Sequence, residues 1–203
     1  MGLPTAFFVV QKGVFQMNDK KSLRKHIIET LSKLSKTAYE EDSITIHNRL
    51  FEDPDWIQAN VIGITISKFP EVDTYQIIKK AWESGKQIVV PKCYSKERQL
   101  SFRTLTDFSQ LESVYYGLLE PIEAVTKELE PGEIDLLIVP GVVYSREGYR
   151  IGFGGGYYDR FLTRFSGKTL SLAFSCQVID KFDKEDHDMK IAKIITNVGV
   201  FTI

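Results

Sequence analysis

Ile134-Asp135-Leu136-Leu137-Ile138-Val139-Pro140-Gly141 is apolar at every position but one before the proline. A short run with no alternation of polar and apolar positions reads as a strand covered on both faces, the usual condition of a parallel sheet. Pro140-Gly141 stops it. A loop to Gly156, a helix expected over about residues 157–165 and a strand at 169–174 follow. Upstream, residues 61–66 form another short run rich in β-branched side chains. Next comes a helix that Asp73 can cap, carrying Ile77, Ile78, Ala81 and Trp82 and ended by Gly85, and then a strand at 87–92. Leu23, Ile27, Leu31 and Leu34 recur at helical spacing within residues 20–36, so an amphipathic helix opens the fold. A less regular helix is expected over 39–51, and Asp53-Pro54 suits a further helix start. Residues 100–105 read as a strand, 107–131 are turn-rich with no order assigned, and a terminal strand is expected near 191–196. The alternation predicts an α/β fold, a single-domain open, mostly parallel sheet with helices on both faces.

The chain has 203 residues, 43% hydrophobic and 26% charged, enough to bury one core. Lys and Arg number 26 against 27 Asp and Glu, so no sequence-wide positive field attracts nucleic acid or an anionic membrane. Cys93 and Cys176 lack any paired spacing, which argues against a disulfide framework or a zinc cluster and fits a cytoplasmic protein. No apolar stretch is long enough to cross a bilayer. Residues 1–16 contain Ala6-Phe7-Phe8-Val9-Val10 without a basic leader, a poor signal peptide. They are set aside as an extension, with the natural start expected close to Met17 and the single domain over 17–203.

Gly152, Gly154, Gly155 and Gly156 lie within five positions of one another. Such backbone can adopt positive φ and bring several N–H groups to an anion, and the helix expected next would present its positive end there. Arg150 and Arg160 can add charge-assisted contacts. A dinucleotide fingerprint starting at Gly152 or Gly154 would require glycine at 157 or 159, where Tyr157 and Asp159 stand, and a Walker-type loop would require Gly-Lys where Tyr157-Tyr158 stand. Two readings stay open on residues alone: a different phosphate loop, or glycines that merely permit a tight turn.

Val139-Pro140-Gly141, then Gly148-Tyr149-Arg150-Ile151-Gly152, then Gly154-Gly155-Gly156-Tyr157-Tyr158-Asp159-Arg160 resemble the C-terminal signature of the 5-formyltetrahydrofolate cyclo-ligases. The resemblance extends over about residues 20–196 through Lys20-Lys21-Ser22-Leu23-Arg24, Glu71, Pro91 and Glu120-Pro121. It implies a fold like the NagB/RpiA/CoA-transferase group and ATP-dependent conversion of 5-formyltetrahydrofolate to 5,10-methenyltetrahydrofolate, with Mg²⁺ as cofactor. By the same resemblance Lys20, Lys21, Ser22, Leu23 and Arg24 contact ATP, as do Arg150, Ile151, Gly152, Phe153, Gly154, Gly155, Gly156, Tyr157 and Tyr158. Ile66, Glu71, Gly154, Gly155, Gly156 and Tyr157 contact the folate. Arg150 and Tyr157 serve the chemistry, and Asp159 and Asp188 hold the metal, with Asp183, Glu185 and Asp186 as rivals to Asp188. The sequence departs from the family pattern at Ala192 and Asn197, where aspartate and glutamate are common, and at Phe153 inside the loop. A monomer is expected, a dimer being the alternative. Competing readings are a sugar-phosphate isomerase or CoA-transferase relative, and a folate- or nucleotide-binding module without turnover.

Overall fold

The computed structural model describes residues 19–203. The expectations for residues 1–16 and for Met17 lie outside the described residues. The helices are α1 (Lys20–Leu31), α2 (Lys36–Phe51), α3 (Pro54–Gln58), α4 (Tyr75–Glu83) and α5 (Tyr157–Leu162). The strands are β1 (Val61–Gly63), β2 (Gln87–Tyr94), β3 (Gln99–Leu105), β4 (Leu111–Ser113), β5 (Leu119–Pro121), β6 (Glu128–Leu129), β7 (Leu136–Ile138), β8 (Val143–Ser145), β9 (Arg150–Ile151), β10 (Lys168–Ala173), β11 (Val178–Ile179), β12 (Lys193–Thr196) and β13 (Val200–Thr202).

The main sheet runs β13-β12-β10-β7-β1-β2-β3-β6. Its five central strands are parallel, and β13, β3 and β6 add antiparallel edges. Period-two alternation sorts the side chains. Leu136 and Ile138 join Ile62, Ile88 and Val90 in a cluster with Ile27, Leu50 and Ile77 from α1, α2 and α4. Leu137, Val139 and Val89 point the other way, toward Phe102 and toward Phe161 and Leu162 of α5. Helices therefore cover both faces, and β7 is apolar throughout because neither of its faces meets water. Its one charged neighbour, Asp135, accepts from Asn60 N and Val61 N at 2.8 and 2.9 Å and so aligns the start of β1.

Several segments differ from expectation. The first helix ends at Leu31, and Ser35 opens α2 by accepting from Ala38 N, while Leu34 still packs on the core. β1 stops at Gly63, where a Cβ would stand 2.6 Å from Leu137 Cδ1. Residues 140–156, expected as a loop, contain β8 and β9, and β8 pairs with both β9 and β11 in a second small sheet. α5 ends at Leu162 and continues only as i to i+3 turns. The turn-rich middle contains the β4–β5 hairpin, and the chain closes with an unanticipated β12–β13 hairpin.

At the opposite end of the sheet from the strands' carboxyl termini, Lys193 Nζ donates to both oxygens of Asp53 at 2.8 and 2.7 Å and to Asp55 Oδ2 at 2.7 Å. Asp53 also caps α3 by accepting from Asp55 N. Asp53→Ala removes a cap and a charge-assisted bond together, so it should lower stability by about 2 kcal/mol. A urea unfolding midpoint equal to that of the parent would contradict this.

Candidate active site

From β1 the chain proceeds to β2 on one side of the sheet, whereas β7 leads to β10 on the other. The connections leaving the carboxyl ends of β1 and β7 diverge, and such a switch point leaves a crevice where α/β sheets bind ligands. A largely apolar cleft lies there. Thr65, Ser67 and Glu71 line it from the β1 side, Val139, Pro140 and Gly141 from the β7 side, with Ile28 of α1, Tyr144 and Phe153 completing it.

The Glu71 turn is braced from within. Thr74 Oγ1 donates to Thr65 O and accepts from Ser67 N, and Ser67 Oγ accepts from Thr74 N. Glu71 Oε2 accepts from Lys68 N at 2.9 Å, and Tyr39 Oη donates to Glu71 O at 2.9 Å. Burial raises the Glu71 carboxyl above its ordinary value, and the Lys68 N–H only partly offsets this. Ile66 packs into the core at 8% exposure; its neighbours Thr65 and Ser67 line the cleft.

The glycine loop abuts the same cleft. Gly154 and Gly156 have φ of +102° and +63°, which L side chains rarely adopt. Arg24 Nε donates to Gly152 O at 2.7 Å, so α1 docks directly on the loop. Arg160 Nη2 donates to Gly155 O and its Nε to Arg98 O, both at 2.8 Å, and its guanidinium lies 5.3 Å from the centroid of the Tyr157 ring. By contrast, the N–H groups of Gly152, Phe153, Gly154, Gly155 and Gly156 donate to no acceptor among the described residues. Carbonyls held and amides unspent are what an anion cradle requires. α5 is short, so the loop's own donors contribute more to this than a helix dipole does.

Two ion pairs flank the loop. The Arg150 side chain is 3% exposed; Nη2 donates to Asp159 Oδ1 at 3.0 Å and Nη1 to Met189 O at 2.9 Å. Met189 N donates to the same Asp159 oxygen at 3.3 Å. Lys20 Nζ donates to Asp188 Oδ2 at 2.7 Å and approaches Glu185 at 3.3 Å. Burial alone would raise the Asp188 carboxyl, but the Glu185 N–H and the Lys20 ammonium together hold it below its ordinary value. Asp159 Oδ2 and Asp188 Oδ1 have no hydrogen-bond partner among the described residues. Each carboxylate thus keeps one oxygen for another ligand, a donor set that suits Mg²⁺ completed by phosphate and water. Among the described residues no three His, Cys, Asp or Glu side chains form a self-sufficient metal cage.

The remaining sequence-predicted residues are distributed around this centre. Lys21 N and Ser22 N donate to the Asp19 side chain and Leu23 packs on the core, so these three form the first turn of α1. Ile151 is buried in β9, and Tyr157 packs beneath the loop. The Tyr158 hydroxyl is buried without a hydrogen-bond partner. Tyr144 and Gln177 carried no local signal. Gln177 Nε2 donates to Gly141 O and Val142 O at 3.3 and 3.1 Å and fixes the β7 side of the cleft.

A sequence model of the 5-formyltetrahydrofolate cyclo-ligase family matches residues 16–197. The chain belongs to that family. A 5-formyltetrahydrofolate cyclo-ligase of Haemophilus influenzae is 30% identical over 76% of this chain and 84% of its own, and one of Mus musculus is 27% identical over 87% and 92%. The NMR structure of the Aquifex aeolicus 5,10-methenyltetrahydrofolate synthetase superposes with a TM-score of 0.80 at 27% identity, covering 90% of this chain and 92% of that one. The cyclo-ligase signature coincides with the clamped loop. The two C-terminal departures have structural roles: Asn197 Oδ1 accepts from Ser175 N at 2.8 Å, and Ala192 contributes backbone bonds to Thr169 and Ile203. No helix of the described residues is long and apolar enough to cross a membrane.

Arg150→Ala takes the buried guanidinium from two half-buried acceptors, leaving Met189 O without its donor and Asp159 with only the longer bond from Met189 N, so it should reduce stability by about 2 kcal/mol. Asp159→Asn, with an amide oxygen still able to accept from Arg150, should lose about 1 kcal/mol. Chemical denaturation of the two variants side by side tests this order.

Proposed function

We propose that this chain catalyses the ATP-dependent conversion of 5-formyltetrahydrofolate to 5,10-methenyltetrahydrofolate with release of ADP and phosphate. The observation that carries this reading is the adjacency of two half-sites. An apolar cleft with a half-buried carboxylate, suited to a pterin, opens beside a loop with unspent N–H groups, suited to a nucleotide's phosphates. The curated relatives bear this activity in their names.

The formyl oxygen of the substrate is a poor leaving group. Transfer of the γ-phosphoryl group onto that oxygen breaks the β,γ bond of ATP and gives an activated imidate phosphate. The second folate amine then attacks the formyl carbon, its N–H proton passes to the departing phosphate, and the C–O bond breaks as phosphate leaves. Phosphoryl transfer requires mainly alignment and neutralisation of spreading charge. The loop amides would bind the phosphates, Lys20 and Arg24 would bring positive charge from α1, and Arg150 would hold Asp159 in position. Bound Mg²⁺, held by the open oxygens of Asp159 and Asp188, would neutralise phosphate charge. Glu71 would accept from the pterin's N–H donors, and the Tyr157 ring would pack between the two substrates. The acting unit is proposed to be the monomer, and two unpaired cysteines suit a reducing, cytoplasmic setting.

The test is direct. Purified protein mixed with Mg-ATP and 5-formyltetrahydrofolate should generate the near-ultraviolet band of methenyltetrahydrofolate, and no ATP-dependent rise would refute the proposal. In the same assay Asp159→Asn should raise the Mg²⁺ concentration needed for half-maximal rate while leaving folate binding without nucleotide unchanged. Arg150→Ala, measured where it is still folded, should lower turnover by about 10².

Glu71 gives a pH signature. Only the ionised carboxylate accepts two pterin donors, and burial raises its pKa above the ordinary 4.5. The KM for folate should therefore climb as pH falls through this raised value, beginning above the range of an exposed glutamate. Glu71→Gln should raise KM by about tenfold at neutral pH and remove that limb of the profile. A profile shared by parent and variant would exclude Glu71 from pterin binding.

A further inference from the structure

The carboxylate in the cleft has a neighbour that neither the family resemblance nor the glycine loop explains. Tyr144 of β8 is 1% exposed, yet its hydroxyl has no hydrogen-bond partner. A buried hydroxyl left unpaired is destabilising, so one that lines a ligand cleft calls for a reason. Ser171 lies alongside but commits its own proton to Val139 O at 2.7 Å. The phenol end of Tyr144 lies against Gly141, another cleft residue; a Cβ on Gly141 would stand 2.9 Å from Tyr144 Cζ and 3.0 Å from its oxygen. Glycine at 141 thus leaves room for the phenol end where a side chain would collide with it. Glu71 lines the same cleft.

We infer that the Tyr144 hydroxyl is a specificity-determining donor that meets the C4 carbonyl of the bound pterin, beside the Glu71 carboxylate that accepts from the adjoining ring N–H. This inference rests on the folate reading of the cleft. A pterin carries its N3–H donor and C4 carbonyl acceptor side by side on one edge, and an acceptor next to a donor is the complement of that edge. Glu71 supplies the first and Tyr144 the second. Burial pushes the phenol's pKa well above its ordinary value, so it keeps its proton throughout the working range. No neighbour holds the hydroxyl in hydrogen-bond geometry, so only a weak contact with the Ser171 oxygen competes with the bond it makes on binding. Sites that leave a buried polar group unpaired when the wrong ligand binds discriminate strongly between analogues.

The experiment compares binding of 5-formyltetrahydrofolate and of its 4-amino-4-deoxy counterpart to the parent protein and to Tyr144→Phe by calorimetry. The variant should bind the 4-oxo compound about tenfold more weakly and the 4-amino compound within about twofold of the parent, with kcat for the 4-oxo substrate little changed. Its unfolding midpoint in the absence of ligand should equal or exceed that of the parent, since an unpaired hydroxyl has been removed. Unchanged affinity for the 4-oxo compound, or equal losses for both compounds, would overturn the assignment. So would a lowered midpoint with affinities intact, which would make the hydroxyl a structural partner of Ser171. Failure of the parent protein to bind either compound would refute the folate reading itself, and this inference with it.

Discussion

A guanidinium removed from water must find acceptors for its N–H groups, and much of the site follows from how Arg150 meets that demand. It opens β9, the two-residue strand that leads into the glycine loop, and reaches Asp159, in α5 just after the loop, and the carbonyl of Met189, in the segment that presents Asp188. One side chain thereby ties together both ends of the loop and the acidic stretch that Lys20 holds from α1. Attraction at low effective dielectric offsets the desolvation of the pair only while geometry and partners are good, which favours a single arrangement of these segments over several. In the proposed reaction the arginine would act mainly through the carboxylate it orients.

The clamping of the loop extends the same logic to its backbone. Arg24 and Arg160 bind carbonyls at Gly152 and Gly155, so two cations that could have been taken for direct phosphate ligands also fix the direction of the peptide dipoles between them. Donors fixed before a ligand arrives need no reorganisation as charge moves in the reaction, and this is where most electrostatic stabilisation of phosphoryl transfer originates.

Where burial is two-sided or periodic, the sequence was informative. The 134–139 run announced a central strand because both its faces pack, and Ile27 and Leu31 marked the inner face of α1. Elsewhere the determinants are tertiary. β8, β9, β11 and β13 are two or three residues long, too short to display a period, and they exist because partners lie alongside them. Asp188, rather than Asp183 or Asp186, meets Lys20, a choice made by a contact 168 positions apart and invisible to local pattern. Ile66 suggested a pocket residue by resemblance, yet in the fold it is Thr65 and Ser67 that line the cleft. Tyr144 had no signal of its own, since a tyrosine in an apolar stretch looks like core until its hydroxyl is found without a partner.

Phe153 belongs at once to the glycine loop and to the lining of the cleft, and it is 69% exposed. If the nucleotide and the folate occupy the two half-sites, both restrict the same aromatic side chain. Whatever conformational freedom the first ligand removes from Phe153, the second no longer has to remove. Their affinities are then linked by one coupling free energy, equal in both directions whichever binds first. A residue that is neither acid, base nor metal ligand would thus make two adjacent half-sites thermodynamically interdependent.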